Sequence, residues 1–420
     1  MDKAMKNPPN EGIRSQAKTA LSVLTAINAL NYLDRFVSAP ILPLIIAGLH
    51  LSDGQAGSLQ SAFILVFALV CPLVGGLVDR YPRYWIAAIG VILWSAATLG
   101  SGLATSFAFL LVARALVGIG EASYTVVTPS ILADHYPAER RGRALSIFYA
   151  AIPFGSALGY VLGGQIGAHH GWRSAFFVAG IPGIFLAMIL LHLREPRRGQ
   201  KDAPTSANPD TGLGAFLKIA RSRPSYILNV ISQSIYTFTV GGLAAWMPTY
   251  LVRYRHLAVD KAALFFGGIL ALAGLLGTLG GGYLGDKLAR RFPGAHFTFS
   301  GLALIASLPF SVVAVISPNP SVYWTATFLS LLFLFVVTGP LNAAMVNVLP
   351  APFRGRGVGV HTIIIHLLGD ACSPILIGIA SDRVGLPWPI LATGLYVGIA
   401  GALLVWGRKT LDRDLAASAN

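Results

Sequence analysis

Twelve long apolar runs, separated by short charged or Pro/Gly-rich breaks, leave this chain little choice of fold. They fall at 19–47, 52–78, 83–103, 106–133, 143–168 and 173–193, then 224–252, 260–285, 295–316, 321–349, 357–381 and 388–407. Each is long enough to cross the hydrocarbon layer of a bilayer as a helix. No water is available there to satisfy the backbone, so these runs must close their own hydrogen bonds as helices. The chain is 55% hydrophobic and only 11% charged, against about 25% charged in soluble domains. An all-α integral membrane protein is expected.

The first 18 residues are polar and no small-residue cleavage site follows the first run, so that run is expected to stay as an anchor. Between the sixth and seventh runs, "REPRRGQKDAPTSANPDTGLG" is polar, basic and rich in breakers, and reads as a linker between two halves. The expected organisation is a cytoplasmic segment 1–18, a six-helix bundle 19–194, a cytoplasmic linker 195–223, a second bundle 224–407 and a cytoplasmic tail 408–420.

A net charge of +14 could suggest a nucleic-acid partner, but the basic residues sit in short loops, as orientation signals do. With both termini in the cytoplasm, all but seven of the 31 Lys and Arg residues fall on cytoplasmic segments; the exceptions are Arg35, Arg114, Arg173, Arg253, Arg255, Lys261 and Arg383. That asymmetry sets the expected orientation in the inner (cell) membrane, with the bilayer as partner and no nucleic acid. Cys71 and Cys372 lie in apolar runs without metal-ligand spacing, so neither a metal nor a disulfide is expected.

The halves repeat. "GGLVDRYPRY" after the second run corresponds to "GGYLGDKLARR" after the eighth, setting Asp79 against Asp286, 207 positions on. "PAERRGR" before the fifth matches "PAPFRGR" before the eleventh, setting Arg141 against Arg354, 213 positions on. Repeated six-helix halves joined by a basic linker are how many secondary transporters are built, with substrate held near mid-membrane between them.

Gly75, Asp79, Arg80 and Arg83 form G-x-x-x-D-R-x-P-R, and with twelve spans the chain resembles the major facilitator superfamily over nearly its whole length. "LNYLDR", "RALVGIGEASY", "LSIFYAAIPFGSALGY" and "HLLGDACSP" resemble its Spinster branch, which exports or redistributes lysolipids and sphingosine phosphate. The resemblance implies two pseudo-symmetric bundles around a central cavity. It also implies a conformational latch at the loop motif, made of Gly75, Asp79, Arg80, Arg83, Asp134, Asp286 and Arg354. Physically, Asp79 would face the positive N-terminus of the eleventh helix, and Arg83 would pair with Asp134. A merely solvated turn is the alternative.

A charge at the bilayer centre costs at least ~2.5 kcal/mol, so each one inside a span is a candidate for function. Between Lys18 and His50 the only charges are Asp34 and Arg35. Either the first helix ends there, leaving both at an interface, or it continues through "FVSAPILPLII" and both lie within the membrane. Neighbouring helical residues point about 100° apart, so each needs its own partner. Arg114 and Glu121, seven apart on one face of the fourth span, supply them: Arg35 with Glu121, and Arg114 with Asp34. The second half lacks this set, since the matching positions are Gly241, Gly242 and Leu334. It offers neutral Asn229, Gln233 and Tyr236, while Asn28 and Tyr32 lead toward Arg35 in the first span. Such stripes serve either as helix–helix glue or as cavity lining. His366 and Asp370 stand one turn apart and could relay protons; the resemblance points His366 toward a substrate head group. His361 has less support, and His169 and His170 read as surface residues.

The expectation is a monomeric, proton-linked carrier for an amphipathic anion, such as a lysophospholipid or sphingoid phosphate, working by alternating access without a cofactor. Arg35 would take the head group, with Asn28, Tyr32, Gln233, Tyr236 and His366 around it, and Phe and aliphatic side chains the acyl chain. Asp34 or Glu121, with Arg114 and Asp370 as charge partners, would carry the proton. A carrier for small organic anions or drugs is the nearest alternative. A lipid enzyme is disfavoured because neither H-E-x-x-H nor G-x-S-x-G is present, and a sensor that does not transport shares every feature. No P-loop suggests drive by ATP.

Overall fold

The computed structural model describes residues 11–78, 80–193, 195–196, 212–292 and 294–419. Among these, every regular element is helical. Six helices build the first half: α1 (Glu11–Leu49), α2 (Asp53–Val78), α3 (Arg83–Leu103), α4 (Phe107–His135), α5 (Ala138–His170) and α6 (Trp172–Leu191). The short α7 (Leu213–Ser222) precedes the second half, which opens with α8 (Pro224–Tyr254), α9 (Val259–Ala289) and α10 (Ala295–Ile316). Its tenth span is broken into α11 (Pro320–Val336) and α12 (Thr338–Asn347). The eleventh holds α13 (Arg354–Ile365), a π-helical turn at His366–Asp370 and α14 (Ser373–Val384). α15 (Pro387–Trp406) and α16 (Arg408–Ala419) complete the chain. Twelve of these segments are long and apolar enough to span a membrane, so the protein is a multi-pass integral membrane protein.

α1 runs without a break to Leu49, through Pro40 and Pro43. Asp34 and Arg35 are therefore inside a membrane helix and not at its end. Pro72, Pro129, Pro153, Pro182, Pro248 and Pro309 also lie within helices, which neighbouring helices make tolerable in a bilayer.

Between apolar helices in lipid, close approach of backbones is the main source of attraction. α5 presents Gly155, Gly159 and Gly163 to α1, one turn apart. A β-carbon on them would stand only 2.2, 2.6 and 2.7 Å from the carbonyl oxygens of Ala29, Leu33 and Val37. This stripe fixes α1 against α5 and so sets which face of α1 turns inward.

α7 and α16 are too short and polar to span. Phe216 of α7 is buried edge-on to Tyr226 at 5.9 Å. Asp414 of α16 caps α8, accepting from the Ser225 amide at 2.9 Å and its hydroxyl at 2.7 Å. Both short helices thus pack at the end of the molecule nearest the linker.

The two halves are joined mainly at the opposite, far end. There α2 crosses α14 with Gly57 against the Pro374 carbonyl and Gly378 against the Asp53 carbonyl; an added β-carbon would come within 2.1 and 2.2 Å of these oxygens. α5 meets α9 through Gly164 on Ala263 and Tyr160 on Gly267. Toward the linker end the facing helices part. Around Gly75, Gly142, Gly355 and Gly359 an added β-carbon meets no described atom within 4 Å.

Candidate functional site: a cavity between the halves

A cavity of about 200 Å³ lies between the halves at mid-span, walled by α1, α2 and α4 on one side and by α8 and the π turn on the other. Four of its lining residues are charged or titratable at neutral pH: Arg35, Arg114, His366 and Asp370. Tyr32, Phe36, Phe63, Phe67 and aliphatic side chains make up most of the remaining wall.

The four charges of the first half come together. Arg35 donates from Nη2 and Nε to one oxygen of Glu121, at 2.8 and 3.2 Å. Glu121 is fully buried, whereas the Arg35 side chain keeps 18% exposure toward the cavity. The Arg35 guanidinium also lies about 5 Å from three ring centres, those of Tyr32, Phe63 and Phe67, an aromatic cage that favours a cation. Asp34, on the adjacent face, accepts from the Thr98 hydroxyl of α3 and stands 3.8 Å from Arg114. Arg114 is buried beside Phe63, and none of its nitrogens has a hydrogen-bond partner among the described residues. Five buried donors without acceptors are costly, so this guanidinium is held by charge and ring contact alone.

Across the cavity, His366 Nδ1 lies 3.0 Å from both carboxylate oxygens of Asp370. The pair sits on a π turn, in which the Ala371 amide reaches back to the His366 carbonyl at 3.0 Å, and Pro374 follows. Asp370 is within electrostatic reach of Arg35. Tyr236 lines the same wall, 3.4 Å from Thr338.

Other expected residues fall elsewhere. Asn28 is buried outside the lining and donates to the Phe148 carbonyl at 2.9 Å, tying α1 to α5. Gln233 donates to Asn229 at 2.7 Å, and Asn229 to the Leu341 carbonyl at 2.9 Å. Asn28 and Asn229 thus tie helices together through backbone carbonyls, and Gln233 braces Asn229 from the same helix. His361 is buried and does not line the cavity. At the linker end, Arg83 is buried between Asp134 at 2.6 Å and Glu195 at 2.7 Å. Gly75 is half-buried, Arg80, Asp286 and Arg354 are exposed, and Asp79 lies outside the described residues.

Three contributors escape sequence reasoning. Glu195 sits in what reads as a featureless linker, yet it also accepts from the Tyr84 amide at the start of α3. Thr98 is one hydroxyl among many in an apolar run. Asp53 looks like an ordinary first-turn acid, but it bonds Arg253 at 2.8 Å and Ser381 at 2.6 Å across the halves. The Asp382 carboxylate answers from the other half, accepting from the Asp53 and Gly54 amides at 2.7 and 2.8 Å.

Comparison with known proteins decides the family. Residues 24–374 match the model of the Major Facilitator Superfamily. The chain is 35% identical over 415 residues to bovine protein spinster homolog 1, covering 91% of this chain and 78% of that one. This chain is a Spinster-type transporter of the major facilitator superfamily. Human protein spinster homolog 1 is similar at 34% identity over 413 residues, with 91% and 78% covered. In structure, the chain resembles a bacterial homologue of the human lysosomal transporter Spinster, solved inward-facing and unoccupied. The TM-score is 0.88 at 26% identity, covering 95% of this chain and 98% of that one. For a Spinster-type transporter, a charged cavity at the interface of the halves is where a small-molecule substrate is expected.

Proposed function

We propose that this Spinster-type transporter moves an amphipathic anion, of the lysophospholipid or sphingoid-phosphate kind, by alternating access linked to protons. The observation that carries the reading is the Arg35 guanidinium, partly open to a cavity whose other walls are mostly apolar. An Arg fork suits a phosphate or carboxylate, and aromatic and aliphatic walls suit the first part of a chain. Tyr32, Tyr236 and His366 complete the head-group site. Glu121 or Asp34 takes up the proton, with Arg114 and Asp370 as charge partners. Neutralising Glu121 frees Arg35 for the anion. A few kcal/mol of difference between the two charge states is enough to change which conformation dominates.

Positive charge in the loops supports an inner-membrane location with both termini in the cytoplasm. The linker end is then the cytoplasmic one, and the conformation described is inward-facing, as it is in the bacterial homologue. Parting of that end supports a latch in which Asp79, Arg80, Asp286 and Arg354 come together in the opposite, outward-facing state, beside the Arg83–Asp134 pair that is already formed here. We take the working unit to be a monomer of two six-helix halves.

The cavity's volume, about 200 Å³, favours a second reading. It is below the ~300 Å³ at which pockets for drug-sized ligands begin, so a small organic anion fits without any tail. Uptake into proteoliposomes decides between them. A labelled lysolipid should enter faster with a pH gradient and should be competed by lysolipids more than by short-chain acids. Preference for the short acids establishes the second reading. Wild-type uptake by Arg35→Ala would falsify the head-group role.

A further inference from the structure

In the internal repeat, the second half carries Gly241–Gly242 where the first carries Asp34–Arg35. The packing of α8 gives this replacement a purpose. A β-carbon on Gly241 would stand 2.5 Å from the Asp370 β-carbon and 2.9 Å from its α-carbon. Contact from the other side is equally close, since a β-carbon on Gly369 would come 2.8 Å from that of Thr237. Glycine on both surfaces lets the π turn lie directly on α8. Among the described residues lining the cavity, Asp370 is the one carboxylate. The other charged or titratable side chains of that lining are His366 from its own turn, Tyr236 from α8, Tyr32 and Arg35 from α1 and Arg114 from α4.

We infer that Gly241 is a positioning residue: by lacking a β-carbon it seats the π turn so that Asp370 faces Arg35 across the substrate cavity. The second half thus delivers its acid from the eleventh span, through a gap in the seventh, instead of from the seventh itself. Asp370 is then a counter-charge that an incoming anion must share Arg35 with, and its distance from Arg35 tunes affinity for the head group. This inference rests on the anion-carrier reading for its effect on transport, but not for the placement itself.

The placement is read without substrate, from the imidazole NMR signal of His366 at one fixed pH in protein labelled at histidine, the signal being assigned by its loss in His366→Gln. Gly241→Ala should move that signal by more than its line width. Gly268→Ala, at a helical glycine with nothing within 4 Å, should leave it in place. Alanine is intrinsically the better helix former, so propensity alone predicts no loss. Asp370→Glu, which lengthens the acid without touching the contact with α8, should change KM for a labelled lysolipid at least threefold with kcat within twofold. An unmoved His366 signal in Gly241→Ala, or a wild-type KM in Asp370→Glu, overturns the inference. If Gly241→Ala does not insert, Asp370→Glu decides alone. Failure of the wild type to take up lysolipid overturns the carrier reading and leaves the His366 measurement to decide the placement.

Discussion

Arg35 spends two of its five donors on a single oxygen of Glu121, and the second oxygen of that buried carboxylate has no hydrogen-bond partner. The pair is therefore half-satisfied: the guanidinium keeps donors for a ligand, and Glu121 keeps an open site for a proton. A charge-neutral, incompletely bonded pair at mid-membrane is suited to exchange partners.

Glu121→Gln should abolish stimulation of uptake by a pH gradient while counterflow exchange continues, because the neutral amide stands in for the protonated acid. It should also lower the melting temperature in detergent, since breaking a buried pair leaves one charge alone at a cost of about 3–5 kcal/mol. Gradient stimulation surviving in Glu121→Gln assigns the proton to Asp34.

Arg35→Lys keeps the charge and loses the planar fork. KM for a phosphate-bearing lysolipid should rise by about tenfold, which corresponds to ~1.4 kcal/mol, and KM for a carboxylate-bearing anion should rise with it, since the fork matches both groups. Equal KM values for wild type and Arg35→Lys would show that the fork is not used.

At the far end, Asp382→Asn removes a charged acceptor from two α2 amides. Charge-assisted bonds contribute ~1.5–3 kcal/mol, so the balance between closed and open far ends should move by tenfold or more. A cysteine placed at Ala263, fully buried in the α5–α9 seam, in a background of Cys71→Ser and Cys372→Ser, should be labelled faster by a membrane-impermeant thiol reagent. An unchanged labelling rate would mean that the cap does not hold the seam.

Gly57→Leu drives a side chain into the Pro374 carbonyl. It should prevent closure of the far end and cut uptake at least tenfold, while the same change at Gly76, where nothing lies within 4 Å, leaves uptake near wild type. Comparable loss in both would point to insertion and not to closure.

The twelve spans were legible because an apolar run in a membrane has one outcome, and their ends moved by only a few residues. α7 and α16 were not, because short amphipathic helices carry charge and look like loop. The first-half charges were found by counting ions where none should be, and depth and sign placed their partners. That method has no purchase on Thr98, which is neutral, or on Asp53 and Glu195, which stand at the very start of a run and in the linker, where a charge is unremarkable. It also assigned Asn28 and Gln233 to the cavity because a polar stripe gives a helix face but not which neighbour lies on that face. The π turn is a matter of one extra residue in a helical ring, and sequence periodicity does not resolve one residue.

The contacts that close the far end share a chemical property. Asp382 accepts from two amides at a helix start, and Asp53 from Arg253 and a serine hydroxyl. Water can take the place of every partner in that set once the seam opens, because all of them lie at a helix end and none is in the apolar middle. The seal is therefore tight against leakage yet shallow in free energy, like a door held by wet adhesion. A transporter built this way can cycle quickly, and its slow step should lie deeper, where fully buried Glu121 has no solvent to replace Arg35.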